Sequence, residues 1–146
     1  MPDTHQMFVS YASADKVAAR GIADDLAHAG TPIWSDSAIR FGEDFVDAKE
    51  RGLLGSDSYL LLVSPDYMNS EFCMYELGFA LKQQRAAGAT IIPVAIGDTD
   101  VRFLPSFVRK FDVIDGRGVP AARIAGQVLD RLRNPLVPTP RHKAAA

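Results

Sequence analysis

Ser64-Pro-Asp-Tyr-Met-Asn-Ser-Glu-Phe-Cys-Met-Tyr-Glu-Leu77 joins an apolar run, Tyr59-Leu-Leu-Leu-Val63, to a helical pattern that extends to about Arg85. The run has the length of a buried strand. The joint is built from Ser64, Pro65, Asp66, Asn69 and Ser70, residue types that favour turns and helix caps. Ser70 is the expected N-cap, with Glu71 in the first turn facing the positive end of the helix dipole. On a helical wheel Cys73, Leu77, Ala80 and Leu81 share the inward stripe. Glu76 falls to one side of that stripe, one turn after Phe72. A carboxylate and an aromatic ring are thus expected together at the rim of the core, near the C-terminal end of a central strand. Open α/β sheets bind ligands there.

The elements on either side of this joint set the fold class. Met7 to Tyr11 reads as a short buried strand, and Ser13 as the cap of a helix with Ala18, Ile22, Leu26 and Ala29 on one face, closed by Gly30. Thr31 to Trp34 is a second strand, placed at a sheet edge by Pro32. Ser35 to Gly42 is a loop, and a helix from about Glu43 to Leu54 follows, with Phe45, Ala48 and Leu53 inward and Gly52 weakening it. Gly88 ends the helix after the central strand. Thr90 to Ile96 is a fourth strand, although Pro93 argues against a regular interior one. A helical turn is expected near Ser106–Arg109, a fifth strand over Phe111–Ile114, and a last helix opened by Pro120 with Ala121, Ile124, Ala125, Val128 and Leu132 on one face. Residues 6–133 form one domain in this reading, and residues 134–146, with three prolines, a tail or linker. Strands alternating with helices predict an α/β, three-layer, five-stranded, mostly parallel sheet, flavodoxin-like in the order 2-1-3-4-5.

Composition narrows the function classes. A chain of 146 residues is one domain's length, and the net charge of −2, with acids and bases interspersed, offers no basic face for nucleic acid or an anionic membrane. No apolar run approaches the roughly 20 residues of a membrane span, and the N-terminus shows no signal peptide. Cys73 is the single cysteine, which excludes an internal disulfide and fits a cytoplasmic protein. His5, His28 and His142 lack ligand spacing, so no metal site is expected. A phosphoacceptor receiver domain of the same architecture needs an acidic pair after the first strand and an Asp ending the third. Ser10-Tyr11 and Ser64 stand there instead.

Three stretches together resemble the Toll/interleukin receptor (TIR) domain family, in its bacterial NAD-cleaving form. Phe8-Val-Ser-Tyr-Ala-Ser13 with Asp15-Lys16 is similar to its first box. Gly30, Ile33-Trp-Ser-Asp36 and Gly42 resemble its second strand and following loop. Ser56-Asp57, then Ser64-Pro65-x-Tyr67, Ser70 and Phe72-Cys-Met-Tyr-Glu-Leu77 match the third, with Phe72 where many members have Trp. Ala12 and Ser13 stand where some members carry basic residues. The match spans roughly Gln6 to Leu132.

The resemblance implies two activities. Catalytic members cleave NAD at the nicotinamide–ribose bond through the helix glutamate, here Glu76, by hydrolysis or cyclisation. Their setting implies prokaryotic immune signalling or cell death. Other members only self-associate and recruit partners. Cleavage passes through an oxocarbenium-like state, and nicotinamide leaves as a neutral molecule from a cationic ring. A single carboxylate near the developing charge is then sufficient apparatus, without the leaving-group acid an ordinary glycosidase uses. Candidate substrate contacts are Ser10, Tyr11, Trp34, Asp36, Arg40, Gly42 and Phe72. Trp34 and Phe72 are equally readable as packing residues, and Cys73 as an inert small hydrophobe. NAD is expected as substrate, with no separate cofactor and no Gly-x-Gly-x-x-Gly fingerprint. Ile39 and Phe41, apolar residues in the Ser35–Glu43 loop, are the candidate TIR–TIR contacts. A fused or partner sensor domain is a further expected partner.

Overall fold

The computed structural model describes residues 6–35, Ile39 and residues 41–134. Five strands, β1 (Met7–Ser10), β2 (Ile33–Trp34), β3 (Ser58–Val63), β4 (Thr90–Ala95) and β5 (Ile114–Asp115), form one sheet in the order β2-β1-β3-β4-β5. Every pairing is parallel. The six helices among the described residues are α1 (Lys16–His28), α2 (Phe45–Leu54), α3 (Pro65–Met68), α4 (Glu71–Ala87), α5 (Ser106–Arg109) and α6 (Ala121–Arg133). No helix among them is long and apolar enough to cross a membrane.

The period-two alternation of the strands divides the core in two. Met7, Val9, Leu60, Leu62, Ile92 and Val94 face α1 and α6. Phe8, Tyr59, Leu61, Val63 and Ile91 face the other way, toward α2, α3, α4 and α5. Both faces are covered, which is why β3 reads as a continuous apolar run. Ser10 ends β1 on the second face.

The joint is more structured than a turn. Ser64 caps α3, its Oγ accepting from the Tyr67 N–H at 3.0 Å, with Pro65 at the first helical position. The same hydroxyl donates to Asp15 Oδ2 at 2.5 Å, tying the joint to the turn after β1. Ser70 then caps α4 by accepting from the Cys73 N–H at 3.2 Å. Gly88 closes α4 in the left-handed region at φ 72°, which a side chain would strain.

Several expectations need correction. In α1 the inward alanine is Ala19, while Ala18 and Ala29 are exposed; a 3-10 turn, Ser13–Asp15, precedes the helix and rotates its register, and Ser13 makes no side-chain cap bond. In α2 the cap is Asp44, accepting from the Asp47 N–H, and Phe45 is turned outward. Gly52 does not merely weaken α2. A Cβ there would lie 2.5 Å from Trp34 Cδ2, so the missing side chain lets the helix lie against the indole. Phe111–Val113 is not strand; Asp112 at φ 57° turns the chain, and β5 starts at Ile114.

Pro93 sits inside β4, paired with Leu61, against the expectation. The N–H groups of Thr90 and Ile96 both point to β3, bonding Asp57 O and Val63 O. By alternation the nitrogen of Pro93 points away from β3, toward the side where pairing with β5 begins only at Val94. The absent donor therefore costs no ladder bond.

Candidate active site

Glu76 is expected at the rim and found inside: it is 2% exposed. The α4 register flanks it with the buried Cys73, Leu77 and Ala80 and brings it over the C-terminal end of β1. Burying a carboxylate is unfavourable without partners. Two are supplied by other elements. Ser10 Oγ donates to Glu76 Oε1 at 2.6 Å, and Lys49 Nζ, from α2, donates to Glu76 Oε2.

A second layer fixes the first. Tyr67 OH lies 2.9 Å from Ser10 Oγ. Because the Ser10 proton is committed to the carboxylate, Tyr67 donates, and the order runs Tyr67 to Ser10 to Glu76. Burial pushes the Tyr67 phenol far above its ordinary range, so it stays protonated as a donor. Tyr67 comes from α3, Ser10 from β1 and Glu76 from α4; the capped joint holds all three in line. Lys49 is positioned by α2, which is pinned over the sheet where the buried Tyr59 hydroxyl donates to Leu53 O at 2.6 Å. That bond satisfies a carbonyl at the helix end.

Outside Glu76 the gap between α2 and α4 opens into a cleft of about 320 Å³ lined by Phe45, Val46, Lys49, Leu53, Phe72 and Tyr75, with Glu50, Glu71 and Glu76 as its acidic groups. Its walls are mostly apolar. Phe72 is strongly exposed at the mouth, and Tyr75 donates to Glu50 Oε2 at 3.1 Å. No group of three or more potential metal ligands occurs among the described residues.

The structure brings together only part of the expected site. Phe72 and Glu76 share the cleft, and Ser10 reaches Glu76 from beneath, itself 1% exposed. Trp34 stacks on Phe8, centroids 5.0 Å apart and planes within 7°, with Gly52 on α2 at van der Waals contact. It is half-buried packing at the sheet edge. Tyr11 packs on the opposite face, against the cluster under α1 and α6, and lines a separate hollow with Arg20 and Asp24. Gly42 is exposed at φ 86°, in the left-handed region. Asp36 and Arg40 lie outside the described residues. Phe41 is fully exposed and Ile39 half-buried. Cys73 is buried, and burial raises its thiol pKa, consistent with an inert residue.

Sequence reasoning missed Lys49, Phe45 as a cleft wall, Tyr67 and Tyr75. A signal for Lys49 existed. It stands four residues after Phe45 and four before Leu53, on one helix stripe, and a lysine on such a stripe needs a counter-charge.

The TIR domain family model matches residues 7–129. This chain belongs to the TIR domain family. Among curated proteins the TIR domain is 25% identical over 111 residues to the 2' cyclic ADP-D-ribose synthase BtTIR of Bacteroides thetaiotaomicron. That match covers 73% of this chain and 39% of the relative, so the chain spans about two fifths of that protein's length. Among solved structures, a metazoan TIR-STING receptor from C. gigas in complex with 2',3'-cGAMP superposes with a TM-score of 0.71 at 24% identity, covering 91% of this chain and 40% of that one. The TIR domain of the Toll-related receptor TRR-2 of Hydra magnipapillata superposes with a TM-score of 0.63 at 18% identity, over 88% of this chain and 98% of that one. These likenesses establish the TIR fold.

Proposed function

We propose that this TIR domain cleaves NAD at the nicotinamide–ribose bond, with Glu76 as the catalytic residue. The observation that carries this reading is a carboxylate at the inner end of an aromatic-walled cleft, fixed through Ser10 by Tyr67. Fixed negative charge stabilises a cation that develops in the transition state, and does so best where water is excluded and no reorganisation is needed. Phe72 and Tyr75 offer flat apolar walls for the nicotinamide ring, and Glu76 faces the ribose. The electrons of the breaking bond neutralise the pyridinium, so nicotinamide departs without a protonating acid. Ser10 orients the carboxylate from below and stays off the substrate.

NAD enters as substrate. The bacterial relative is a 2' cyclic ADP-D-ribose synthase, which supports an NAD-cleaving role and makes a cyclic isomer the first product to seek beside ADP-ribose; prokaryotic immune signalling is the setting proposed for this domain. Asp36, Arg40 and Gly42 remain proposed contacts on the loop toward the rest of the dinucleotide. The test is nicotinamide release from NAD by the purified protein, with Glu76→Ala as control: release lost in the variant supports the assignment, and release unchanged by it refutes it.

A second reading is favoured by one observation. Phe41 projects wholly into solvent beside the half-buried Ile39, as a self-association contact requires. Assembly through this loop and catalysis at Glu76 are compatible, with assembly completing the mouth of the site.

A further inference from the structure

The Lys49 ammonium contacts two groups of different kinds. It donates to Glu76 Oε2, and it also stands 5.2 Å from the centroid of the Phe45 ring. A carboxylate and an aromatic ring within reach of one cation is a pairing by which proteins hold organic cations. The cleft reinforces it, since Glu50 and Glu71 border the same space. Lys49 itself retains 16% side-chain exposure and Glu76 only 3%, so the lysine is the member of the pair on the solvent side.

We propose that Lys49 occupies the seat of a planar organic cation, and that this cleft binds pyridinium-type ligands in competition with its own lysine. The proposal rests on the NAD reading for the identity of its natural ligand, the positively charged nicotinamide ring, and adds what selects it. A cationic ring exchanges with the ammonium at no net change of charge beside Glu76; a neutral ring would displace the Lys49 counter-charge from a buried carboxylate and put no charge in its place. Exchange is open to Lys49 because its four-carbon stem can swing the ammonium toward the mouth of the cleft, while Glu76 is held from beneath by Ser10. The oxidised nicotinamide ring is therefore accepted and the neutral, reduced ring refused. Lys49 thereby keeps the resting site closed to neutral ligands.

The test is titration of the whole protein with the 1-methylnicotinamide cation, which has no ribose to cleave, and with neutral nicotinamide. A seat vacant about a tenth of the time weakens apparent affinity about tenfold. Lys49→Met is therefore expected to bind the cation about tenfold more tightly than the wild type, with no comparable gain for the neutral ring. Lys49→Gln removes the charge while keeping an amide donor for Glu76, preserves the support of the carboxylate, and is expected to show the same gain. Lys49→Arg is expected to bind as weakly as the wild type. Cation affinity that is unchanged or lower in both Lys49→Met and Lys49→Gln overturns the proposal, because Lys49 then only holds Glu76. The same proteins assayed for nicotinamide release separate the two readings. Tighter cation binding without NAD cleavage contradicts the NAD assignment and upholds the seat. Cleavage dependent on Glu76 with no gain in either variant overturns the seat alone.

Discussion

At the scale of single residues, the site is a buried charge and the groups that make its burial tolerable. Glu76 accepts from Ser10 and Lys49, and Ser10 is held by Tyr67. Ser10→Ala removes the link between Tyr67 and Glu76 and strands the phenol in the core. The expected cost is about 1–3 kcal/mol of stability, the penalty for a buried polar group left unpaired, read from urea unfolding. If Ser10 acts by positioning the carboxylate, a fall of about tenfold in kcat with little change in KM is expected beside it, whereas a rise in KM would place it on the substrate. Cys73 offers a simpler check. Its buried, raised-pKa thiol should resist alkylation in the folded protein at pH 8 and react fully in denaturant. The pairing of Phe72 and Glu76 was legible from their i, i+4 spacing. The depth of Glu76 was not, because wheel geometry places a residue around an axis and cannot say how closely α2 packs alongside. Lys49 and Glu76 are 27 positions apart and meet only through that packing.

At the scale of elements, small residues decide how closely the layers approach. Gly52 lets α2 lie on Trp34, and the helix that carries Lys49 depends on that approach. Gly52→Ala places a methyl inside the indole ring's contact distance and should destabilise the fold by about 1–3 kcal/mol, the usual range for overpacking, by thermal or urea melting. Sequence alone shows Gly52 as a poor helix former, since propensity is local and the indole arrives from β2. Pro93 misleads in the same way: the ring removes a donor, but only topology reveals that the donor would face beyond the start of β5. The β4 and β5 ends carry a further pair of exposed devices. Arg102 grips Asp100 and Arg117 grips Asp115, and the guanidinium beside Asp100 lowers its pKa to about 2. A lowered folded-state pKa gives stability that is present above the ordinary carboxylate range and lost as pH falls through the folded value. Asp100→Asn should thus lower the melting temperature slightly at pH 6 in low salt. The difference should fall away as the pH drops through about 2, and it should shrink in high salt because the pair is solvent-exposed.

At the scale of the whole molecule, the parallel order β2-β1-β3-β4-β5 brings the ends of β1 and β3 side by side and lets α2 and α4 close over them. This order was readable from the alternation of strands and helices, because right-handed crossovers leave few arrangements for five strands. The site built on it was readable only in outline: Glu76 and Phe72 from the joint, Ser10 from the first box, but with Tyr11 assigned to the same mouth. A strand's alternation sends Ser10 and Tyr11 to opposite faces, and the structure follows that rule. Assembly belongs to this scale too. Phe41→Asp should lower activity most at low protein concentration and be partly overcome at high concentration, followed as rate against concentration. An equal loss at every concentration would place Phe41 on the substrate instead.

The central claim is that a single buried carboxylate on α4 suffices for cleavage. Its most direct measurement is single-turnover nicotinamide release from NAD at high protein concentration, comparing the wild type with Glu76→Gln, whose amide keeps the shape and removes the charge. The account predicts release by the wild type and a loss of at least about a thousandfold in the variant, the scale expected when the main electrostatic stabilisation is removed, with both proteins melting cooperatively. Wild-type release that persists at a comparable rate in a folded Glu76→Gln protein would contradict it.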